Sequence, residues 1–283
     1  MSLRSPAQRN LASAHLKVAD ALYRFDKFEE ALGHVRQALS INERVVVADP
    51  YNAVARRDLS ITHQRVGRML LALRRLPESP EEQRQALAIQ ETLTAAEPSN
   101  AEWRFDLAIQ YGQAGLSLED LGDLSGALES YLKCVGSMDD IRSQAPADVE
   151  VQSYLAENYN NIGNTLMSRG DATGVLDYYR RALDTHEQLS ARDPSDAFHR
   201  RAVAVLQMKV GNASVKLAET ARPADSAQRL AHWREARDYY RRSLDTLLDM
   251  QSRNQVRTSA DASRIDQLRQ SLIKCDAALR MQI

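Results

Sequence analysis

The sequence is short of cysteine, aromatic residues, net charge and long apolar runs, and each shortage removes a class of protein. Two cysteines, Cys134 and Cys275, in 283 residues cannot make a disulfide framework, so a reducing, cytoplasmic setting is expected. A net charge of −1 and a pI near 6.6 leave no basic surface for displacing counterions, which argues against a nucleic-acid binder. The opening MSLRSPAQRNLASAHLKV has no unbroken apolar stretch of the signal-peptide kind. No run approaches the ~20 apolar residues of a membrane span, so no membrane association is expected. Eight prolines and eleven glycines are too few for collagen, linker or low-complexity readings. Catalytic and metal signatures are missing too: there is no HExxH, CxxC pair, GxSxG or GxxxxGK[ST]. The chain is therefore expected to be no enzyme and to need no cofactor or metal. Aromatics are 6% of the residues against a hydrophobic content of 43%, so the core must draw on Ala and Leu, which suits packed helices.

What is present is a repeat. DPYNAVARRDLSI, EPSNAEWRFDLAI, APADVEVQSYLAE and DPSDAFHRRAVAV follow one another at intervals of 48 residues. The ruler is Pro50, Pro98, Pro146 and Pro194, and a second column is Gly67, Gly115, Gly163 and Gly211, with Ala19 in the fifth place. Strict self-similarity at this period marks a solenoid. Each unit reads as two helices. The first begins after Asn52, Asn100, Asp148 or Asp196, short polar residues that cap orphan N–H groups. With the glycine column as zero, apolar residues fall at −8, −4, −1 and +3, as in Leu107, Tyr111, Ala114 and Leu118, one stripe at helical period. Breaks follow at Leu121-Gly122-Asp123 and Arg169-Gly170-Asp171. The second helix carries Ala31, Ala127 and Val175, then Tyr131 and Tyr179, then Ala38, Ala86, Cys134 and Ala182. Small residues in facing columns let helix axes approach closely, while aromatics fill the space beside them.

These columns resemble the tetratricopeptide repeat. Tyr159, Ile162-Gly163, Gly170-Asp171, Tyr179 and Ala182 follow the family pattern, with Val175 in place of its first Ala, and residues 111–134 follow it with Cys134 for the last Ala. The resemblance covers roughly residues 8–250. It implies an all-α, right-handed α-solenoid of about five antiparallel helix pairs plus a C-terminal capping helix. The expected units are about 5–49, 50–97, 98–145, 146–193 and 194–258, with the cap at about 261–281, all in a single domain spanning 1–283. The family unit is 34 residues, so the surplus here should lengthen both helices to ~20 residues. The long phrase DPSNxEW…DLA also resembles helical arrays that follow the kinase domain in some bacterial serine/threonine kinases, although no kinase glycine loop, HRD or DFG is present.

Both ends of the array depart from the pattern. Leu76-Pro77-Glu78-Ser79-Pro80 replaces Gly-Asp and should force an irregular turn. Tyr240 arrives 13 residues late, and the surplus around 221–233 reads as a longer loop. In the tail, Leu268, Leu272, Cys275 and Leu279 make a first-helix stripe, with Asp276 at the glycine position and no later helix to press on it. His15 and His63 share the −4 column with Tyr111 and Tyr159, and read as half-buried core rings. Cys134 reads as an inert buried thiol. Of the pairs Tyr178-Tyr179 and Tyr239-Tyr240, one ring of each belongs to the core.

The resemblance implies a non-catalytic scaffold that binds a peptide or protein partner in a concave groove lined by first helices. In the family, positions −3, +1 and +5 face that groove. Here they nominate Gln64, Arg68, Asn160, Asn164, Asn212 and Lys216, whose amides and cations suit a peptide backbone or a carboxylate. The alternative is the regulatory or sensor array of a larger bacterial signalling protein such as a serine/threonine kinase. A third reading is an unrecognised enzyme, which would require a deep polar pocket with perturbed carboxylates.

Overall fold

A computed structural model describes residues 4–222, 225–255 and 259–281. Among these residues there are eleven α-helices and no strand. The helices fall into two compact units, one ending at Gln144 and the other starting at Ala145. The first holds three antiparallel pairs: α1 (Arg4–Arg24) with α2 (Phe28–Ala48), α3 (Ala53–Ala72) with α4 (Ser79–Ala96), and α5 (Ala101–Asp120) with α6 (Leu124–Gln144). The second holds α7 (Val149–Ser168) with α8 (Ala172–Arg192), α9 (Ala197–Thr220) with α10 (Ser226–Ser252), and the terminal α11 (Ser259–Arg280) against α10. Most helices run close to twenty residues, as the 48-residue period requires.

The repeated phrase is a helix start. The side chains of Asn52, Asn100, Asp148 and Asp196 each accept a hydrogen bond from a backbone N–H in the first turn of α3, α5, α7 and α9. Gly122 and Gly170 close the turns between paired helices at φ of 83° and 80°, a region where a Cβ is strained. Asp123 and Asp171 then accept from the N–H of Gly126 and Gly174. The proline-rich turn is irregular as expected. It takes six residues, 73–78, where 121–123 takes three, and it places Pro80 in the first turn of α4.

The glycine column has a definite cause. A Cβ at Gly115 would lie 2.5 Å from the ring of Tyr131, and one at Gly211 2.6 Å from the ring of Tyr240. Gly163 meets Tyr179 in the same way. Each ring comes from the paired second helix and is almost wholly buried. Where the partner is smaller the column relaxes: Ala19 sits in a cluster with Val35, and Gly67 faces the flexible Gln83. The small-residue columns are all buried, with Ala31, Ala38, Ala86, Ala127, Cys134, Val175 and Ala182 fully shielded. Asp276, at the glycine phase of α11, stays partly exposed, its carboxylate 4.0 Å from Arg237.

One expectation is corrected. The surplus of the fifth unit is not mainly a loop. α9 extends to 24 residues and α10 to 27, leaving only 221–225 between them, of which 223 and 224 lie outside the described residues. The added turns are packed: Ala218 and Trp233 are buried in one cluster with Tyr240, Leu268 and Cys275. SAQRLAHWREA is helical because its apolar residues keep the period of the helix that follows, Leu230, Trp233 and Ala236 leading into Tyr240.

Candidate functional site at the first helices

Phase puts the six nominated residues on the first helices. In the unit ending at Gln144, Gln64 is half-buried on α3. Arg68 donates to Asp20 of α1 at 3.3 Å and lies 4.9 Å over the ring of Tyr23. Asp20 also accepts from Arg65, so Arg68 is already tied to the neighbouring repeat. In the unit starting at Ala145, Asn160 and Asn164 of α7 converge on Lys209 of α9. The Lys209 ammonium donates to Asn160 Oδ1 at 2.6 Å and Asn164 Oδ1 at 2.8 Å, above the ring of Tyr179 at 5.6 Å. The Tyr179 hydroxyl donates to Asn164 at 3.0 Å, and the Tyr240 hydroxyl donates to Asn212 at 2.7 Å. The +1 asparagines therefore anchor the hydroxyl of the tyrosine that covers the preceding glycine. Lys216 is exposed, and its ammonium has no partner among the described residues.

Beside Asn160 and Lys209 the first helices part to form a pocket of about 440 Å³. α7 contributes Glu150, Ser153, Tyr154 and Glu157, α9 contributes Phe198, Ala202 and Val205, and α8 contributes His186. Phe198 is 65% exposed although it is a large apolar ring. Glu157 reaches solvent, yet protein crowds it closely enough that desolvation raises its carboxyl pKa. Neither Glu157 nor Glu150 has an ion pair with a described residue.

His186 is buried, and its Nδ1 lies 3.1 Å from Nδ1 of His199. Burial, followed by the proximity of His199, pushes the His186 pKa down to about 4, so the ring is neutral near pH 7. A similar pair joins His15 to His34 at 3.0 Å, and His63 lies 2.7 Å from Glu82. Both histidines of the −4 column are part-buried, as the sequence suggests. Among the described residues no group of three or more His, Cys, Asp or Glu could hold a metal. Cys134 and Cys275 are buried and form no disulfide, and burial pushes the Cys275 thiol up to about 11.

Sequence reasoning missed Lys209, Glu157, Phe198 and His186. A signal existed in part. Lys209 occupies position −2 and Glu157 position −6, both opposite the apolar stripe, but the choice of −3, +1 and +5 passed over them. Nothing in the sequence announces His186, because it reaches the pocket from a second helix.

Residues 9–50 and 155–196 match the profile of the tetratricopeptide repeat. No curated protein matches at the level of sequence. Among solved structures, the apo form of RapI is 13% identical over 94% of this chain and 85% of its own, with a TM-score of 0.53. A putative kinesin light chain with nearly identical TPR-like repeats from Podosopora anserina is 14% identical over 87% of this chain and 98% of its own, at 0.56. A Rap protein complexed with competence and sporulation factor is 14% identical over 96% of this chain and 65% of its own, at 0.54. At these identities the likeness is one of fold. Among the described residues no helix is long and apolar enough to cross a membrane.

Proposed function

Since residues 9–50 and 155–196 match the tetratricopeptide repeat profile and the fold is shared with a protein of TPR-like repeats, we propose that the chain is a non-catalytic scaffold that binds a peptide or protein segment along its first helices. The observation that carries this reading is the open pocket between α7 and α9, edged by Asn160 and Lys209 and walled by the exposed ring of Phe198. An uncovered aromatic beside fixed amides is the surface a partner segment covers. Gln64 and Arg68 on α3, and Asn160, Asn164, Asn212 and Lys216 on α7 and α9, are the contacts we assign to the partner. The asparagine carbonyl oxygens already hold Lys209, Tyr179 and Tyr240, and one Asn160 N–H donates to Asn161 at 3.4 Å, which leaves the other N–H donors of these amides for partner carbonyls. A Rap protein of similar fold has been crystallised with a bound factor, and partner binding is the use we carry over. That residues 1–283 act as one repeat domain, in a cytoplasmic setting, belongs to the same proposal.

The test starts from the full chain used as bait in a native lysate, with captured proteins identified by mass spectrometry. The partner is then titrated against the wild type and against Asn160→Ala, Asn164→Ala and Asn212→Ala combined, with the fold checked by circular dichroism. Each lost hydrogen bond costs about 0.5–1.5 kcal/mol, so the triple variant is expected to bind about tenfold or more weakly. Undiminished affinity would place the partner on another face. A second reading, a regulatory array of a larger bacterial kinase-like signalling protein, draws on the 48-residue phrase. A kinase domain encoded in the same frame upstream would support it.

A further inference from the structure

We infer that the pocket between α7 and α9 receives the guanidinium of an arginine side chain carried by the bound segment, an inference that rests on the binding role proposed above. The first argument is charge. Glu150 and Glu157 line the pocket together with one ammonium, Lys209, which donates to Asn160 and Asn164. Asn160 and Asn164 lie one to two turns C-terminal to Glu157 on α7, whereas Tyr154, Ser153 and Glu150 lie one to two turns N-terminal to it. The N-terminal half of the pocket is therefore acidic and has no cation of its own.

The second argument is the buried imidazole. The Asp196 carboxylate is 3.6 Å from His199 Nε2 and favours a proton there. His199 Nδ1 is then the acceptor, and His186 Nδ1 donates to it across 3.1 Å. This leaves His186 Nε2 as a bare acceptor with no partner among the described residues, on a ring that lines the pocket. Two carboxylates and an imidazole nitrogen thus present acceptors to one cavity.

The third argument is shape. The walls between these acceptors are the rings of Tyr154 and Phe198 with Ala202 and Val205. A flat cation with several donors meets such a set better than a compact ammonium, because it can stack on a ring face while its N–H groups reach separate acceptors. An acidic side chain would be repelled. An apolar one would desolvate Glu157 further without pairing it.

The experiment titrates the ¹⁵N-labelled full chain with N-acetyl-arginine N-methylamide, its lysine counterpart and the neutral citrulline isostere, followed by NMR. The expected result is a saturable shift confined to the pocket walls of α7, α8 and α9, strongest for arginine, several-fold weaker for lysine and absent for citrulline. Glu157→Gln should weaken arginine binding at least about tenfold while the thermal melt stays cooperative. Equal response to citrulline, no effect of Glu157→Gln, or no saturable shift at α7 and α9 would each overturn the inference. The probe is one residue long, so its outcome does not depend on capturing a partner. A partner that still requires Asn160, Asn164 and Asn212, beside a pocket blind to charge, would sink this inference and leave the scaffold reading standing.

Discussion

In residues 4–144 neighbouring first helices are tied by arginine–carboxylate pairs, whereas in residues 145–281 no such pair among the described residues joins α7 to α9. In the first unit Arg9 pairs with Asp58 at 2.5 Å, Arg57 with Asp106 and with Glu102 at 2.8 Å, and Arg65 and Arg68 with Asp20. The rungs Arg9–Asp58 and Arg57–Asp106 occupy the same two columns, −10 of one repeat and −9 of the next. In the second unit those columns hold Ser153 and Ala202, and there the pocket opens. Its ion pairs join α8 to α10, where Arg180 meets Glu235 and Glu187 meets Arg242 at 2.7 Å, and α9 to α11, where Arg201 meets Asp261 at 3.1 Å. The smaller pocket of the first unit, about 320 Å³ between α1 and α3, has the paired Arg9 and Asp58 in its own wall. One scaffold phrase thus supports a first-helix face stitched shut by charge and another left open with unpaired carboxylates. Stitching stabilises, and leaving a carboxylate desolvated and unpaired costs stability that a ligand can return.

The largest expected contrast lies in the glycine column. Gly163→Ala should destabilise the second unit by about 3 kcal/mol, because the Tyr179 ring it would strike is buried and anchored to Asn164. Gly67→Ala in the first unit should leave stability unchanged or raise it by up to ~1 kcal/mol. There the obstructing group is the end of Gln83, whose amide makes no hydrogen bond to surrender, and alanine is the better helix former. Urea denaturation of both variants checks this. Equal losses would show that the tyrosine does not set the column. Asp276→Leu, which meets no such ring, should change stability by less than ~0.5 kcal/mol.

A second contrast is pH. His186 is held well below its ordinary value, to about 4, while an unfolded histidine titrates near 6.5. Above pH ~6.5 both states carry a neutral ring and this term is constant. As pH falls from ~6.5 to ~4 the unfolded state gains a proton that the folded state lacks, so stability declines, by on the order of 2 kcal/mol in all. Below ~4 the decline from this group stops. His199, Asp196, Glu150 and Glu157 share the neighbourhood, so the assignment needs the His186 ring resonance and a His186→Gln variant. That variant should lose most of the slope between pH 6.5 and 4.5; a slope that persists would move the effect to the carboxylates.

Much of the fold was legible because the physics that sets it is local. A cap, a turn glycine and a stripe at period 3.6 each leave a mark within a few residues, and repetition multiplied every mark. The lengthened α9–α10 pair reads as a loop when judged by the late Tyr240 alone, whereas the period of Leu230, Trp233 and Ala236 marks it as helix. The site was less legible. Asn164 and Asn212 were found by phase, but their bonds to Tyr179 and Tyr240 depend on a packing distance that no spacing records. Lys209 pairs with side chains 45 and 49 residues away, and His186 enters from a helix that should face elsewhere. Long-range chemistry of this kind appears only once the helices are packed.

The smallest effect is the sharpest on sign. Glu157 and Glu102 are both glutamates of first helices, and glutamine removes the charge of each while keeping its shape. Glu102 pairs with Arg57 at 2.8 Å but is 64% exposed, so Glu102→Gln should cost only a few tenths of a kcal/mol, less in high salt. Glu157 has no partner and its pKa is raised by desolvation, so near pH 7 the folded state holds a charge it would rather not carry. Glu157→Gln should therefore raise stability, by less than ~1 kcal/mol, since the side chain still reaches water. The sign follows from linkage: a carboxyl raised in the folded state favours folding more as pH falls toward that value, and the neutral isostere confers the same benefit at every pH. Paired melts at pH 7 decide it. Opposite signs would uphold the contrast between a face closed by arginine and one left open. A loss in both variants would mean that Glu157 has an internal partner, and the pocket would then have no charge to offer a ligand.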